Sequence, residues 1–375
     1  IDVDLWSLEP DAHARAGARY LERVETRFGA IENYHRASSE LSGVEARYIG
    51  ITATPRQSFV NVYFPCPDMP GRPRPRSRDR MFDDALRFVA DQLGPEGGLP
   101  MDGRSIREPR PAPAGWIDPY MTALMVGELD PSLPLSPQVA ARARACLRAS
   151  RDGWAWRYLP DLPCDLDDTS VAWLALESDE HRIDGEVIAQ LEAMLNPDGG
   201  FPTFIGGPSG SQLSHPAVTV NVALALDRSG VTALRDRTDA YLRRWIFSED
   251  FPSCEWAACP TFPLFLCARA TELLERLGPE AVRRLVDRTL ALQRPDGSWG
   301  NELPDSFDTS LAIVILDLLG AAIPDRDATR RILAGCQFDD GGWGWSPLYS
   351  DGNDTWYGQR AITTLFALRA LKILE

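Results

Sequence analysis

Residues 294–319 read RPDGSWGNELPDSFDTSLAIVILDLL, and they hold two signals of different kinds. A Pro-Asp-Gly turn runs into Trp299, and nine residues later Asp308-Thr309 opens a run that is apolar on nearly every side. Asp is a favoured helix N-cap, and a helix without a polar face has to be buried. Both signals recur. The turn appears as EGGLP (96–100), RDGWAW (151–156), PDGGFP (197–202), SEDFP (248–252), PDGSWG (295–300) and DDGGWGW (339–345). With Leu99, Trp154, Phe201, Phe251, Trp299 and Trp343 as anchors, the spacings are 55, 47, 50, 48 and 44. The helix-start signal appears as Asp118-Pro119, Asp168-Thr169, His215-Pro216, Cys259-Pro260, Asp308-Thr309 and Asp354-Thr355, spaced by 50, 47, 44, 49 and 46. Two markers keeping one period six times define six structural repeats.

Apolar runs follow the second marker: SVAWLAL from Ser170, AVTVNVALAL from Ala217, SLAIVILDLL from Ser310 and RAITTLFALRAL from Arg360. Amphipathic segments precede the turns at 136–150, 185–195, 234–247, 279–292 and 327–336. The first set reads as inner helices and the second as outer helices with one solvated face. Six such pairs predict an all-α fold, an (α/α)6 toroid over residues 81–375, with its inner helices starting at one end of a central cavity. Residues 1–80 fall outside the repeat as an N-terminal extension. They show a helical pattern over 10–30, an extended piece at 59–64, and an Arg/Pro-rich stretch, GRPRPRSRDR (71–80), that reads as a solvated linker or as a basic loop for an anionic head group.

The chain has 375 residues, 44% hydrophobic and 25% charged, which is ordinary globular composition. Its 54 Asp and Glu against 39 Lys and Arg give a net charge of −15, a poor balance for holding nucleic acid or an anionic membrane. No apolar run reaches the length of a spanning helix, and residues 1–10 show no signal-peptide pattern. Seven cysteines without a CxxC spacing suggest a reduced thiol set and a cytoplasmic protein. Four scattered histidines give no metal-ligand pattern, so no metal site is expected.

The chemistry concentrates at DLDDTS, residues 165–170. Asp168 shares its register with Asp308 and Asp354, so capping alone would account for it. Asp165 and Asp167 are left over: the fifth repeat carries Asp305 before Asp308, but Phe307 fills the middle place. Three carboxyls at the lip of an apolar barrel cannot all ionise cheaply, so at least one is held protonated near neutral pH. Such a group can protonate a weak base. Around the same end the markers place Trp116, Tyr120, Trp154, Trp156, Phe204, Trp256, Phe262, Phe307, Trp356 and Tyr357. An aromatic face attracts a cation by roughly 0.5–2 kcal/mol. An acid beside an aromatic wall suits a carbocation better than a sugar or a peptide.

DLDDTS followed by VAWLAL resembles the DxDD motif of the class II, protonation-initiated terpene cyclases: squalene–hopene cyclases and class II diterpene cyclases. RPDGSWG and FDDGGWGW, preceded by Gln293 and Gln337, resemble the QW repeats of that superfamily, and the resemblance covers residues 80–375. It implies that Asp167 protonates an alkene or epoxide, with Asp165 and Asp168 tuning it. The family often sets a His or Asn from the next inner helix against the acid, and VTVNV (218–222) makes Asn221 that residue. Family members usually carry a second (α/α) domain that this chain is too short to hold, which favours a C15 or C20 isoprenoid substrate, as a diphosphate or a prenylated compound, over C30. Asp83-Asp84 lacks the third Asp of the DDxxD motif that ionises diphosphates, so no cofactor is expected for the chemical step. Magnesium would enter only with a diphosphate substrate. Three alternatives stay open: a non-catalytic toroid that binds a lipid or a protein, an (α/α)6 carbohydrate-active enzyme, and a protein prenyltransferase β-subunit. The last needs a zinc set, and Gln359-Arg360 stands where its late His would be. Product skeleton and oligomeric state are not readable from the sequence.

Overall fold

The computed structural model describes residues 48–53, 58–63, 78–105, 116–176, 183–206, 212–300, 305–350 and 355–375. The chain divides into two units, Ile1–Gly71 and Arg72–Glu375. Within the first, β1 (Tyr48–Ala53) and β2 (Ser58–Tyr63) form an antiparallel hairpin with Tyr48 opposite Tyr63, where the sequence predicts an extended piece. The helix expected over 10–30 lies outside the described residues.

In the second unit six inner helices form a closed ring: α2 (Pro119–Glu128), α4 (Leu166–Leu176), α6 (Pro216–Arg228), α8 (Thr261–Arg269), α11 (Ser306–Leu318) and α13 (Arg360–Ile373). Each packs on the next, and α13 packs back on α2. Outside them lie α1 (Arg78–Asp91), α3 (Ser136–Ala149), α5 (Gly185–Met194), α7 (Arg235–Ile246), α10 (Pro279–Ala291) and α12 (Arg326–Gly335). The first outer helix, α1, packs on the last inner one, α13, which closes the seam. Its first residues are the end of the Arg/Pro-rich stretch, where Arg80 pairs with Asp84 at 3.5 Å. The apolar runs are buried nearly end to end: in α11 everything from Phe307 to Leu316 is buried. The fold is therefore the expected toroid. No helix among the described residues is long and apolar enough to cross a membrane.

The repeats are tied by side chains at constant positions. The indole N–H groups of Trp156, Trp299 and Trp343 donate to the carbonyls of Leu147, Thr289 and Leu333 near the ends of α3, α10 and α12, at 2.7–2.9 Å. Trp156, fully buried, thus fills the place that spacing assigns to Trp154, which instead stacks on Trp173. A threonine in the first turn of an inner helix accepts the anchor's backbone N–H: Leu99 to Thr122, Trp156 to Thr169, Phe201 to Thr219, Trp299 to Thr309 and Trp343 to Thr364, all at 2.9–3.0 Å. The turns close on their aspartates, with Gly200, Ser298 and Gly342 N–H donating to Asp198, Asp296 and Asp340. Gly199 and Gly341 have φ of +88° and +94°, and a Cβ there would meet the carbonyl oxygens of Arg237 and Asp84 at 2.3 and 2.4 Å. Only glycine fits.

Several helix starts differ from expectation. Asp118 and His215 do precede the helices they mark. Asp168 and Asp308 do not: each is the third helical residue, and the caps are Asp165 and Asp305. These two markers align on the threonine that recurs among the repeats, one residue later, rather than on the cap. The fourth inner helix starts at Thr261, one residue later than expected, and breaks at Ala270 (ψ 66°) before α9 (Thr271–Leu277). In the sixth repeat Asp354 lies outside the described residues, Thr355 opens a strand, and the helix begins at Arg360 behind Gln359. That strand, β5 (Thr355–Gly358), sits between β3 (Gly103–Ser105) and β4 (Pro347–Ser350). This three-stranded sheet, unforeseen in an all-helical reading, joins the first repeat to the last. β4 also pairs with 256–258, through Ser350 N–H to the Trp256 carbonyl at 2.9 Å and Ala258 N–H to that of Leu348 at 3.0 Å.

Candidate active site

Within the second unit, a cavity of about 260 Å³ opens at the end of the ring where α2, α4 and α6 begin. Its wall includes Asp165, Asp167 and Asp168 beside Tyr120, Tyr158, Phe204, Trp256, Phe262, Leu348 and Tyr349. The acidic turn is pinned from both sides: Asp165 N–H donates to the Trp156 carbonyl at 2.9 Å, and Leu166 N–H to that of Thr203 at 2.8 Å.

The three carboxyls have different surroundings. Asp165 is the N-cap of α4, accepting from the Asp168 N–H at 2.8 Å and the Tyr158 N–H at 3.1 Å. Asp168 is buried, and its Oδ1 has no hydrogen-bond partner. Burial, and then the Asp165 carboxyl beside it, push Asp168 far above the usual carboxylate range; burial also lifts Asp165 to about 7. Like charges this close in low dielectric disfavour ionising both, so Asp168 is the one of the pair that keeps its proton to the higher pH. Asp167 is the more exposed of the three and accepts from Asn221 Nδ2 at 2.8 Å. Burial raises it to about 6, opposed by the Asn221 hydrogen bond and by the positive charge of Arg269.

Asn221 is fully buried in α6; its Oδ1 accepts from Arg269 at 2.5 Å and its Nδ2 lies 3.5 Å from the Tyr120 hydroxyl. A fourth acid completes the group. Asp118, the N-cap of α2, accepts from Met121 N–H at 2.9 Å and from the Tyr349 hydroxyl at 2.7 Å, and burial pushes it up to about 6. Sequence reading treats Asp118 only as a cap; its place in the second marker series, in the repeat preceding DLDD, was the available signal.

A second buried pair, Asp305 and Asp308, stands in the same register of α11. Asp305 caps that helix and accepts from Ser346, while Asp308 accepts from Thr261. These two do not line the cavity, and Phe307 stands between them where α4 carries Asp167. The cap-plus-third-residue acid pair is thus a device of the fold used twice; the middle acid is particular to α4.

The aromatic residues divide. Tyr120, Phe204, Trp256 and Phe262 line the cavity as expected. Trp156 is instead core, and Trp154 bonds Gln190 on the outer side. Trp116 backs the wall by donating to the Tyr158 carbonyl at 2.8 Å. Phe307 lies behind Phe262, with ring centres 6.5 Å apart, and Tyr357 behind Tyr349, stacked at 5.2 Å. Trp356 is in β5, across from Ser350, and does not line the cavity. Sequence reading missed Tyr158 and Tyr349, which carry the wall next to the acids. Tyr349 meets Tyr120 and Tyr158 edge-on at 6.1 and 5.7 Å. Also missed is Cys254, on the cavity wall with its Sγ 3.6 Å from His215 Nε2. Among the described residues no group of three His, Cys, Asp or Glu is placed to hold a metal ion.

The type II terpene cyclase MstE from Scytonema superposes with a TM-score of 0.61 at 18% identity, over 78% of this chain and 97% of that one. A second structure of that enzyme, holding geranylgeranyl dihydroxybenzoate as substrate, covers 79% of this chain with the same score. The chain has the fold of the type II terpene cyclases. In sequence it is 28% identical over 329 residues to drimenyl diphosphate synthase from Streptomyces showdoensis, covering 80% of this chain and 56% of that protein. The chain therefore spans little more than half the length of this curated relative. No protein-family model matches. The chain is thus similar in fold to the type II terpene cyclase MstE and in sequence to a drimenyl diphosphate synthase.

Proposed function

We propose that this protein is a class II terpene cyclase in which Asp167 protonates the terminal alkene of a linear polyprenyl substrate. The observation that carries this reading is the position of Asp167. It is the one acid of its turn without a counterpart in the Asp305–Asp308 pair, and it faces an aromatic cavity while Asn221 holds its Oδ1.

The Asp167 O–H bond breaks and a C–H bond forms at the terminal alkene carbon, leaving a tertiary cation. The electrons of the next alkene close a ring, and the charge moves along the chain. Loss of a proton from a carbon beside the final cation, or addition of water, ends the cascade. Tyr120, Trp256, Phe262 and Tyr349 present ring faces and edges to the passing charge, and the dry wall keeps water from quenching it early. The carboxylate left on Asp167 is stabilised by the Asn221 amide and by the N-terminal end of α4.

Proton-initiated cyclisation leaves the head group intact, so magnesium would serve only to hold a diphosphate. The drimenyl relative favours a C15 diphosphate, whereas the ligand of the MstE structure is a C20 chain on an aromatic ring. A cavity of about 260 Å³ lies below the usual ~300–1,000 Å³ of small-molecule sites, which favours the shorter chain. A carbohydrate-active reading would need a second carboxylate across the cavity; those on its described wall all come from one turn, Asp165–Asp168.

The test is Asp167→Asn assayed with farnesyl and geranylgeranyl diphosphates. The variant should lose at least about a hundredfold in turnover while still binding the prenyl ligand. A binding module would leave wild type and variant alike, with no product from either.

A further inference from the structure

Arg269 occupies an unusual place. It is the last residue of α8, which at nine residues is the shortest of the six inner helices, and the helix breaks at the next position. The break ends α8 where the Arg269 side chain meets α6, with its guanidinium 5.6 Å from the Phe265 ring centre and one nitrogen 2.5 Å from Asn221 Oδ1. Its Nε is buried without a hydrogen-bond partner. A guanidinium stays charged and can only donate. The side of the Asn221 amide that faces it must therefore be the carbonyl, so the NH2 faces Asp167. An amide alone could flip and accept from a protonated Asp167; tethered to Arg269 it can only donate, to Oδ1. The transferable proton is then confined to the other oxygen, Oδ2.

We propose that Arg269 is a positioning residue: acting through Asn221, it fixes which oxygen of Asp167 carries the proton and makes that proton easier to give up. This rests on the reading of Asp167 as the acid. The groups around Asp167 are Asp165 and Asp168 on its own helix, Asp118 and Tyr120 from α2, Cys254 before α8, and Tyr158 and Tyr349 across the cavity. Among these described neighbours Arg269 is the cation, and it faces Glu128 and Arg228 on its other side.

The sign of its effect separates positioning from mere support. Removing the charge and the tether should raise the pKa of Asp167, making it a weaker acid that stays protonated to higher pH. In Arg269→Gln the low-pH plateau of kcat should fall at least about tenfold, while the basic limb of the pH–rate profile moves up by about 0.5–1 unit. Arg269→Lys keeps the charge but not the fork, and should recover part of the plateau with a smaller upward shift.

Infrared difference titration, each protein against its own Asp167→Asn form, reads the same carboxyl without turnover. An upward shift of the Asp167 band in Arg269→Gln, or in Arg269→Lys should the first not fold, supports the inference. An unmoved or lowered limb and band in folded variants overturns it. Wild type that converts no prenyl substrate, with the band still shifted, would overturn the proposed function and leave the positioning role standing.

Discussion

At the scale of single residues, three neighbouring carboxyls have three duties. Asp165 spends its oxygens on backbone N–H groups, Asp168 is held protonated by burial and by the Asp165 charge beside it, and Asp167, the most exposed, faces the cavity. Asp165→Ala should therefore destabilise the fold by about 1–2 kcal/mol through loss of a helix cap, read as a lowered denaturation midpoint. Asp167→Asn should leave that midpoint nearly unchanged. Equal destabilisation by both would contradict this division of labour. Which acid caps was hidden in the sequence because Asp165, Asp167 and Asp168 are chemically alike and only the backbone tells them apart. That Asp167 is the odd one out was legible, from Phe307 at the same register of the fifth repeat. Tyr158 and Tyr349 were not, since neither sits at a repeat marker.

At the scale of elements, five outer helices, α3, α5, α7, α10 and α12, lie within a residue or two of the segments their amphipathic pattern marks, because a 3.6-residue apolar stripe needs no tertiary information, while α1 went unmarked. Inner-helix starts were read less well. Asp118 and His215 are true caps, whereas Asp168 and Asp308 lie inside their helices, and the clamp common to five repeats is the threonine that accepts the anchor's N–H. Thr219→Val leaves the buried Phe201 N–H unpaired and should cost about 1–3 kcal/mol, measured by chemical denaturation; Thr309→Val should cost the same through Trp299. A loss below 0.5 kcal/mol at both would show the clamp to be incidental. Strands β3, β4 and β5 escaped the sequence because each is only three or four residues long and, apart from the neighbouring β4 and β5, the pairings are remote in the chain: β3 with β5, and β4 with 256–258.

At the scale of the molecule, closing the ring gathers acids that burial keeps protonated. Asp118 and Asp167 are raised to about 6, and Asp165 and Asp308 to about 7. Unfolded, each would ionise near 4, so between about pH 4 and 7 the native state binds more protons and stability falls as pH rises. His215, lowered to about 4 by burial, works the other way over part of that window, but it is one group against six, since Asp168 and Asp305 are raised as well. Asp130, held at about 2, matters only below it. The melting temperature should therefore be higher at pH 5 than at pH 7.5, and the Asp305→Asn/Asp308→Asn double variant should flatten the difference. A melting temperature rising steadily from pH 5 to 7.5 would contradict the protonated cluster.

Turnover in deuterated water interrogates the initiating acid most directly. Asp167 exchanges its proton with solvent, so a linear prenyl substrate should emerge as a cyclic product carrying one deuterium in the ring methylene made from the protonated alkene CH, next to the gem-dimethyl carbon that bore the first-formed cation, with its head group retained. A cyclic product without that deuterium, or one that has lost its diphosphate, would contradict protonation by Asp167 as the first step.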